Sequence, residues 1–337
     1  MGVTYSRGSY TPCARAGQGS ARVEWQRARF PGNASPAEDG RVPPTESSPS
    51  TVGPIEATYE VLCRMTAAAP PFDAIPGAIP APQARSLHRW NVSLAALHAV
   101  QGLAILAISF AKSPVVSAPV VSSYLTFDTA TQTLVPAQRA LFELPIGPAV
   151  ALFFFLSAVA HFTVAFPARR WYERSLARGQ NPARWIEYAL SSSVMIVVIA
   201  TLSGIQEIGT LVAIFGVNAA MNLFGWSMEA ANEGRTRTQW LHYVFGCIAG
   251  AVPWIVITIA LWTAATEPGA APIPGFVIAI FVTLFISFNV FAINMVLQYR
   301  KTGRWSDYLY GERAYMLFSL IAKSLLAWQV FAGTLRP

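Results

Sequence analysis

The sequence predicts an all-α membrane protein built as a bundle of seven transmembrane helices. Its residues are 53% hydrophobic and only 12% charged, whereas average soluble domains carry about 25% charged residues. Seven apolar segments reach the length that a helix needs to cross a bilayer, about 20 residues. Arginine-rich and arginine-poor connections alternate between these segments. The sequence therefore indicates an integral multi-pass membrane protein that is embedded in the lipid bilayer. We expect no nucleic-acid partner.

Residues 1–85 differ in composition from the rest of the chain. They are rich in Pro, Gly, Ser, Ala and Arg and contain no apolar run of spanning length. This composition predicts a disordered or weakly ordered extension, followed by a helical domain over 86–337. Met65 offers an alternative start, in which case the residues before it would be a gene-model extension.

The seven apolar segments come in order after this extension. The third begins at Asn181-Pro182, a capping residue followed by proline at the first helical position. We expect the spans to cover 90–111, 147–166, 182–205, 208–228, 239–264, 273–297 and 311–335. The long connection between the first two spans alternates β-branched and aromatic residues. It is compatible with a β-hairpin over the outer face or with an irregular loop.

Basic residues in the connections predict the orientation of the bundle. They concentrate before the first span and between spans two and three, four and five, and six and seven. The positive-inside rule therefore places the N-terminus in the cytoplasm and the C-terminus outside. Basic and non-basic connections alternate regularly, and the two termini fall on opposite sides of the membrane. The number of spans is therefore odd, which agrees with seven.

Lys323 lies near the centre of the seventh span, although the chain has only three lysines. A charged lysine there costs about 2.5–3.5 kcal/mol on insertion scales, and both helix ends are too distant for its side chain to reach. A buried lysine readily changes its protonation state and condenses with aldehydes to form a Schiff base. The position of Lys323 therefore predicts a functional amine.

Few other ionisable residues fall inside the spans. Glu187 is the acid that we place well inside one, and it is the natural partner of Lys323. The alternative is an interfacial glutamate paired with Arg184. Further polar or aromatic candidates, each open to a purely structural interpretation, are His98, His161, Ser157, Ser319, Asn218, Asn222, Trp254, Phe285, Phe288 and Trp328.

Several classes of site are disfavoured. The three cysteines show no CxxC or Cys/His spacing, so we expect neither a metal site nor a disulfide framework. No phosphate-binding GxxxxGK[ST] loop occurs, which argues against a nucleotide-driven enzyme.

Local sequences in spans one, three, four and seven resemble one known family, and the resemblance also includes span two. The segments SLIAKSLLAWQVF (319–331), RWIEY (184–188) and WNVSLAALHAVQG (90–102), with the cluster of Asn218, Met221 and Asn222, resemble the heliorhodopsins over about residues 88–337. These are seven-helix retinal proteins of inverted topology, which agrees with the orientation predicted from the arginines. The outer β-structure of the family contributes to a homodimer.

The resemblance implies roles for nine residues. Lys323 would hold all-trans retinal as a Schiff base, with Glu187 as its counterion. Ser157 and Ser319 would form hydrogen bonds near the Schiff base, and His98 and His161 would belong to a polar cluster that accepts its proton. Three further residues would neighbour the chromophore: Asn218, Met221 and Trp254.

The function predicted from this resemblance is a non-enzymatic light sensor with a slow photocycle and no net ion transport. An unidentified cytoplasmic partner would recognise its light-induced conformational change. The alternative is a retinal-based light-driven proton transporter or channel. A third hypothesis is a lysine-dependent membrane enzyme or a small-molecule transporter without retinal.

Overall fold

The computed structural model describes residues 79–111, 115–269, 273 and 275–334. The predicted N-terminal extension lies almost wholly outside these residues. The helices described are α1 (Ala81–Ala111), α2 (Ile146–Ala165), α3 (Arg169–Ala177), α4 (Pro182–Leu202), α5 (Ile208–Asn232), α6 (Leu241–Thr266), α7 (Gly275–Tyr299) and α8 (Tyr308–Thr334). Among the described residues, all of these except α3 are long and apolar enough to cross a membrane. The predicted seven-span bundle is therefore confirmed.

The first helix begins earlier than its apolar stretch, at Ala81 rather than at residue 90. Its added polar segment carries Leu87, which is buried and packs in a cluster with Tyr172 and Leu176 of α3. Burial of this leucine against the short amphipathic helix explains why the helix extends beyond the apolar run.

The long connection between the first two spans is a β-hairpin, one of the two alternatives that the sequence left open, and not an irregular loop. Strand β1 (Ser117–Asp128) pairs antiparallel with β2 (Thr133–Pro145), with a register shift between Val120 and Val121. In the turn, the Asp128 carboxylate accepts hydrogen bonds from the Ala130 backbone N–H and the Thr131 hydroxyl. These bonds hold the pKa of Asp128 below its usual value.

The hairpin is tied to the bundle by its backbone. The Val121 N–H donates to the Gln206 carbonyl, at 2.9 Å, in the connection between α4 and α5. We call this end of the bundle the hairpin end. The opposite end, which carries the connections 166–181, 233–240 and 300–307, is the arginine-rich end.

The helices pack as a ring in which α1, α2, α4, α5 and α6 follow one another and α8 contacts α7, α1 and α2. The largest core cluster lies between α2, α4 and α8 and includes Phe153, Phe154, Ile196 and Leu326, all fully buried. Contact between α6 and α7 is sparse, and a cavity of about 240 Å³ lies between them. The ring is thus closely packed around α4 and α8 and open beside α6.

Gly225 allows α5 to approach α4 closely, which gives a test of this packing. A Cβ at this position would overlap the Trp185 ring, whereas a Cβ at Gly216 of the same helix would meet no atom within 4 Å. We expect Gly225→Ala to lower the stability by about 1–3 kcal/mol. Gly216→Ala should be neutral or stabilising, by up to about 1 kcal/mol. Thermal unfolding of both variants in one detergent measures the difference, and equal unfolding temperatures would contradict this packing.

Candidate functional site

Lys323 lies in the core of the bundle, where its side chain has polar contacts on two helices. The residue is 2% exposed. Its Nζ donates a hydrogen bond to Ser319 Oγ at 2.6 Å, one turn earlier on α8. The same nitrogen lies 3.3 Å from Glu187 Oε1 of α4 and 5.4 Å from the centre of the Tyr188 ring. Lys323 therefore lies in contact with Ser319 and Glu187, two of its predicted neighbours.

Glu187 is held against Lys323 by a third helix. Ser157 of α2 donates from Oγ to Glu187 Oε1 at 2.6 Å, and Glu187 is 8% exposed. A buried charge is costly unless an opposite charge and hydrogen bonds compensate it. The arrangement of Ser157, Glu187 and Lys323 meets both conditions across α2, α4 and α8.

The alternative pairing of Glu187 with Arg184 does not occur. Arg184 points toward the arginine-rich end, where its guanidinium forms ion pairs with Glu229 of α5 and Glu312 of α8. Its guanidinium carbon also lies 3.9 Å from the centre of the Tyr315 ring. Arg184 therefore pairs with Glu229 and Glu312, and Glu187 pairs with Lys323, although Arg184 and Glu187 lie one turn apart on the same helix.

The arginine cluster of Arg184, Glu229 and Glu312 was missed in the sequence analysis, where Glu187 was the acid placed well inside a span. Glu229 is 2% exposed and Glu312 is fully buried, and both fall within spanning helices. Asn181 joins the cluster, since its backbone N–H bonds Glu229 and its side-chain amide bonds Glu312. The available signal was the position of both acids at the end of a predicted span, since Glu229 directly follows the fourth span and Glu312 is the second residue of the seventh.

The two predicted histidines are brought together between α1 and α2. Their rings are stacked, with centroids 5.6 Å apart and planes 10° from parallel. His98 is fully buried, and neither of its ring nitrogens has a hydrogen-bond partner among the described residues. His161 and Glu187 line the same cavity of about 40 Å³. Because a cavity of this size and polarity can hold water, proton exchange between Glu187 and His161 is physically feasible.

Two neighbouring, mostly apolar cavities lie between Lys323 and α6. A cavity of about 50 Å³ beside Lys323 shares four lining residues with the larger cavity beside α6: Met221, Asn222, Phe288 and Phe291. Trp254 lines that larger cavity and makes edge-to-face contacts with Phe285 and Phe288, with centroids 5.3 and 5.5 Å apart. These lining residues fit an elongated apolar aldehyde such as retinal, which Lys323 would hold and the aromatic side chains would shield from water.

Asn218 contacts the helix that carries Glu187. Its side-chain amide donates to Ser192 and Ser193 of α4, at 2.8 and 3.0 Å. Asn222, one turn further along α5, donates to the same Ser192 hydroxyl at 3.0 Å. These bonds brace α4 against α5 beside the cavity that adjoins Lys323.

Trp328, one of the aromatic candidates in the sequence, does not line the pocket beside Lys323. Its side chain is 52% exposed, and it lines neither the cavity beside Lys323 nor the larger one beside α6. Trp328 follows Lys323 by five residues, which places the two side chains on nearly opposite faces of α8 because a helix has 3.6 residues per turn.

A seven-helix membrane bundle with a buried lysine, a paired carboxylate and an adjoining aromatic cavity is the arrangement that a retinal-type rhodopsin requires. The family model named Heliorhodopsin matches residues 87–335 of the chain. The protein therefore belongs to the heliorhodopsin family, as its local sequences predicted. This membership implies a retinal chromophore in general terms. A comparison with curated proteins finds no significant match.

Proposed function

We propose that the protein is a light-sensing photoreceptor in which Lys323 binds all-trans retinal covalently as a Schiff base. The observation that carries this proposal is the burial of the Lys323 amine 3.3 Å from Glu187, beside an apolar cavity. An amine in this position is shielded from water and has a counter-charge for its protonated form. Membership of the heliorhodopsin family supports the same function.

The polar residues beside the amine have defined tasks in this proposal. When bound, retinal supplies the absorption of light and the change of shape that follows. Glu187 balances the positive charge at the Lys323 nitrogen, and Ser157 fixes the carboxylate through its 2.6 Å hydrogen bond. Ser319 accepts the hydrogen bond from Lys323.

The residues further from the amine serve the proton and the chromophore. His98 and His161 form the group that receives a proton. Met221 and Trp254 orient the chromophore and exclude water, while Asn218 braces α4 next to them through its serine contacts.

A second candidate function is a light-driven proton transporter or channel. One observation favours it: Glu187 and Glu312 line the same cavity of about 40 Å³, so ionisable groups extend from Lys323 toward the arginine-rich end. The sensor is the better-supported function because the family resemblance implies no net ion transport.

The deciding experiment adds all-trans retinal to the purified protein and then records pH in illuminated vesicles. We expect a visible absorption band and no sustained change of pH. A sustained, uncoupler-sensitive pH change would favour the transporter. A folded protein that forms no band would overturn both retinal functions and leave a lysine-dependent enzyme or transporter.

Glu187→Gln is expected to weaken the visible band at neutral pH, because the positive charge at the Lys323 nitrogen would lose its compensating carboxylate. The band should return on acidification, with a midpoint about 1–3 pH units below that of the wild type. The control is Glu173→Gln, which removes the partly exposed carboxylate that bonds Arg169. A spectrophotometric pH titration of the three proteins gives the midpoints, and unchanged midpoints would exclude Glu187 as counterion.

The orientation and assembly are part of the same proposal. The arginine distribution supports a cytoplasmic N-terminus and an extracellular C-terminus in the cell membrane. Large apolar side chains of the hairpin are exposed, and they support a homodimer formed through this surface: Tyr124, Leu125, Phe127, Leu134, Leu141 and Phe142. The light signal would then reach a cytoplasmic partner at the arginine-rich end.

A further inference from the structure

Asn91 contacts His161 of the histidine pair but has no assigned role. It lies on α1 two helical turns before His98 and is buried. Its Nδ2 donates to the Leu87 carbonyl at 3.0 Å, and its Oδ1 lies 2.8 Å from His161 Nδ1 on α2. Both ends of this side-chain amide are therefore engaged, one within α1 and one across to α2.

The two contacts together determine where the proton of His161 lies. A backbone carbonyl only accepts hydrogen bonds, so the amide nitrogen of Asn91 must face Leu87. The amide oxygen must then face His161, and since it too only accepts, His161 Nδ1 must carry a hydrogen. A neutral imidazole has one N–H. In the neutral ring of His161 the lone pair is therefore on Nε2.

We infer that Asn91 is a positioning residue that holds His161 in the Nδ1–H tautomer and so makes Nε2 the proton-accepting atom. This inference rests on the proposed function, in which the two histidines receive a proton. His161 lines the cavity that also contains Glu187. His98 stacks on the ring of His161 and limits its rotation, so two residues of α1 fix one imidazole of α2.

The first test needs no retinal. Nitrogen-15 NMR of histidine-labelled protein distinguishes the two tautomers, and the chain has only four histidines. His161→Gln identifies the signal of His161. We expect that signal to report Nδ1–H in the wild type. A wild-type signal from a neutral Nε2–H tautomer would overturn the inference, whether or not the protein binds retinal.

Two substitutions separate positioning from simple packing. Asn91→Asp keeps an acceptor opposite Nδ1, so Nδ1 should stay protonated. Asn91→Leu removes the acceptor, so the Nε2–H tautomer should appear. Both variants lose the hydrogen bond to Leu87, and therefore a purely structural role would change both in the same way. Identical NMR signals in the two variants would contradict positioning by Asn91.

The retinal-loaded protein provides a second measurement. In Asn91→Leu we expect light-induced proton transfer to the histidine pair to slow by about 2- to 10-fold, the equivalent of one net hydrogen bond. Asn91→Asp should be affected less than Asn91→Leu. An unchanged rate in Asn91→Leu would overturn the assignment of Nε2 as acceptor. If no visible band forms while the tautomer is as expected, the proposed function fails and the positioning of His161 stands.

Discussion

Lys323→Ala is expected to abolish the visible absorption band that all-trans retinal gives with the wild-type protein. Alanine has no amine with which an aldehyde can condense. The other lysine among the described residues, Lys301, is exposed at the arginine-rich end, outside the apolar cavity. Lys301→Ala is therefore the matched control, and it should keep the full band.

Folding must be monitored in this experiment, because Lys323→Ala leaves Glu187 buried without its partner. The double variant Lys323→Ala/Glu187→Gln removes that unpaired charge, and it should be more stable than the single variant while remaining colourless. A visible band in a folded Lys323→Ala protein would show that retinal binds elsewhere. Borohydride reduction of the wild type, followed by peptide mass analysis, should give an adduct on the peptide that contains Lys323.

Arg184→Leu is expected to destabilise the protein strongly, by about 3–5 kcal/mol. It would leave Glu229 and Glu312 buried side by side without a cation. The matched control is Arg169→Leu, since the pair of Arg169 and Glu173 is 39% and 29% exposed. Such a surface pair contributes only about 0–1 kcal/mol.

Thermal unfolding in a fixed detergent compares the two arginine variants, and the triple variant Arg184→Leu/Glu229→Gln/Glu312→Gln completes the test. We expect the triple variant to regain part of the lost stability, because its buried amides carry no charge. Equal destabilisation by Arg184→Leu and Arg169→Leu would show that the cluster does not hold α4, α5 and α8 together.

The spans could be predicted from the sequence because the bilayer requires long apolar helices and places charged connections outside them. The polar start of α1 at Ala81 was not predicted, since Leu87 is buried only in the folded chain, in a cluster that includes Tyr172 and Leu176 of α3. For a similar reason, the sequence did not decide whether the connection between the first two spans is a β-hairpin or an irregular loop. Its strands alternate as strands should, but pairing between β1 and β2 and the hydrogen bond from Val121 to Gln206 depend on the folded chain.

The candidate site was predicted in part. Lys323 stood out because a charge in an apolar segment is costly, and Glu187 stood out as an acid in another span. Asn91, Glu229 and Glu312 were missed because each is an ordinary residue in its own helix. Their importance comes from partners on other helices, namely His161 for Asn91 and Arg184 for the two glutamates.

The seven spans, the central lysine and the family follow from the order of residues along the chain alone. Which charges pair is known only from the folded bundle: Glu187 with Lys323, and Arg184 with Glu229 and Glu312. Arg184 and Glu187 lie three residues apart on α4, so their spacing along the chain would have allowed them to form an ion pair with each other. The choice depends on how α4 is rotated against α5 and α8, and that rotation is set by side-chain packing between helices.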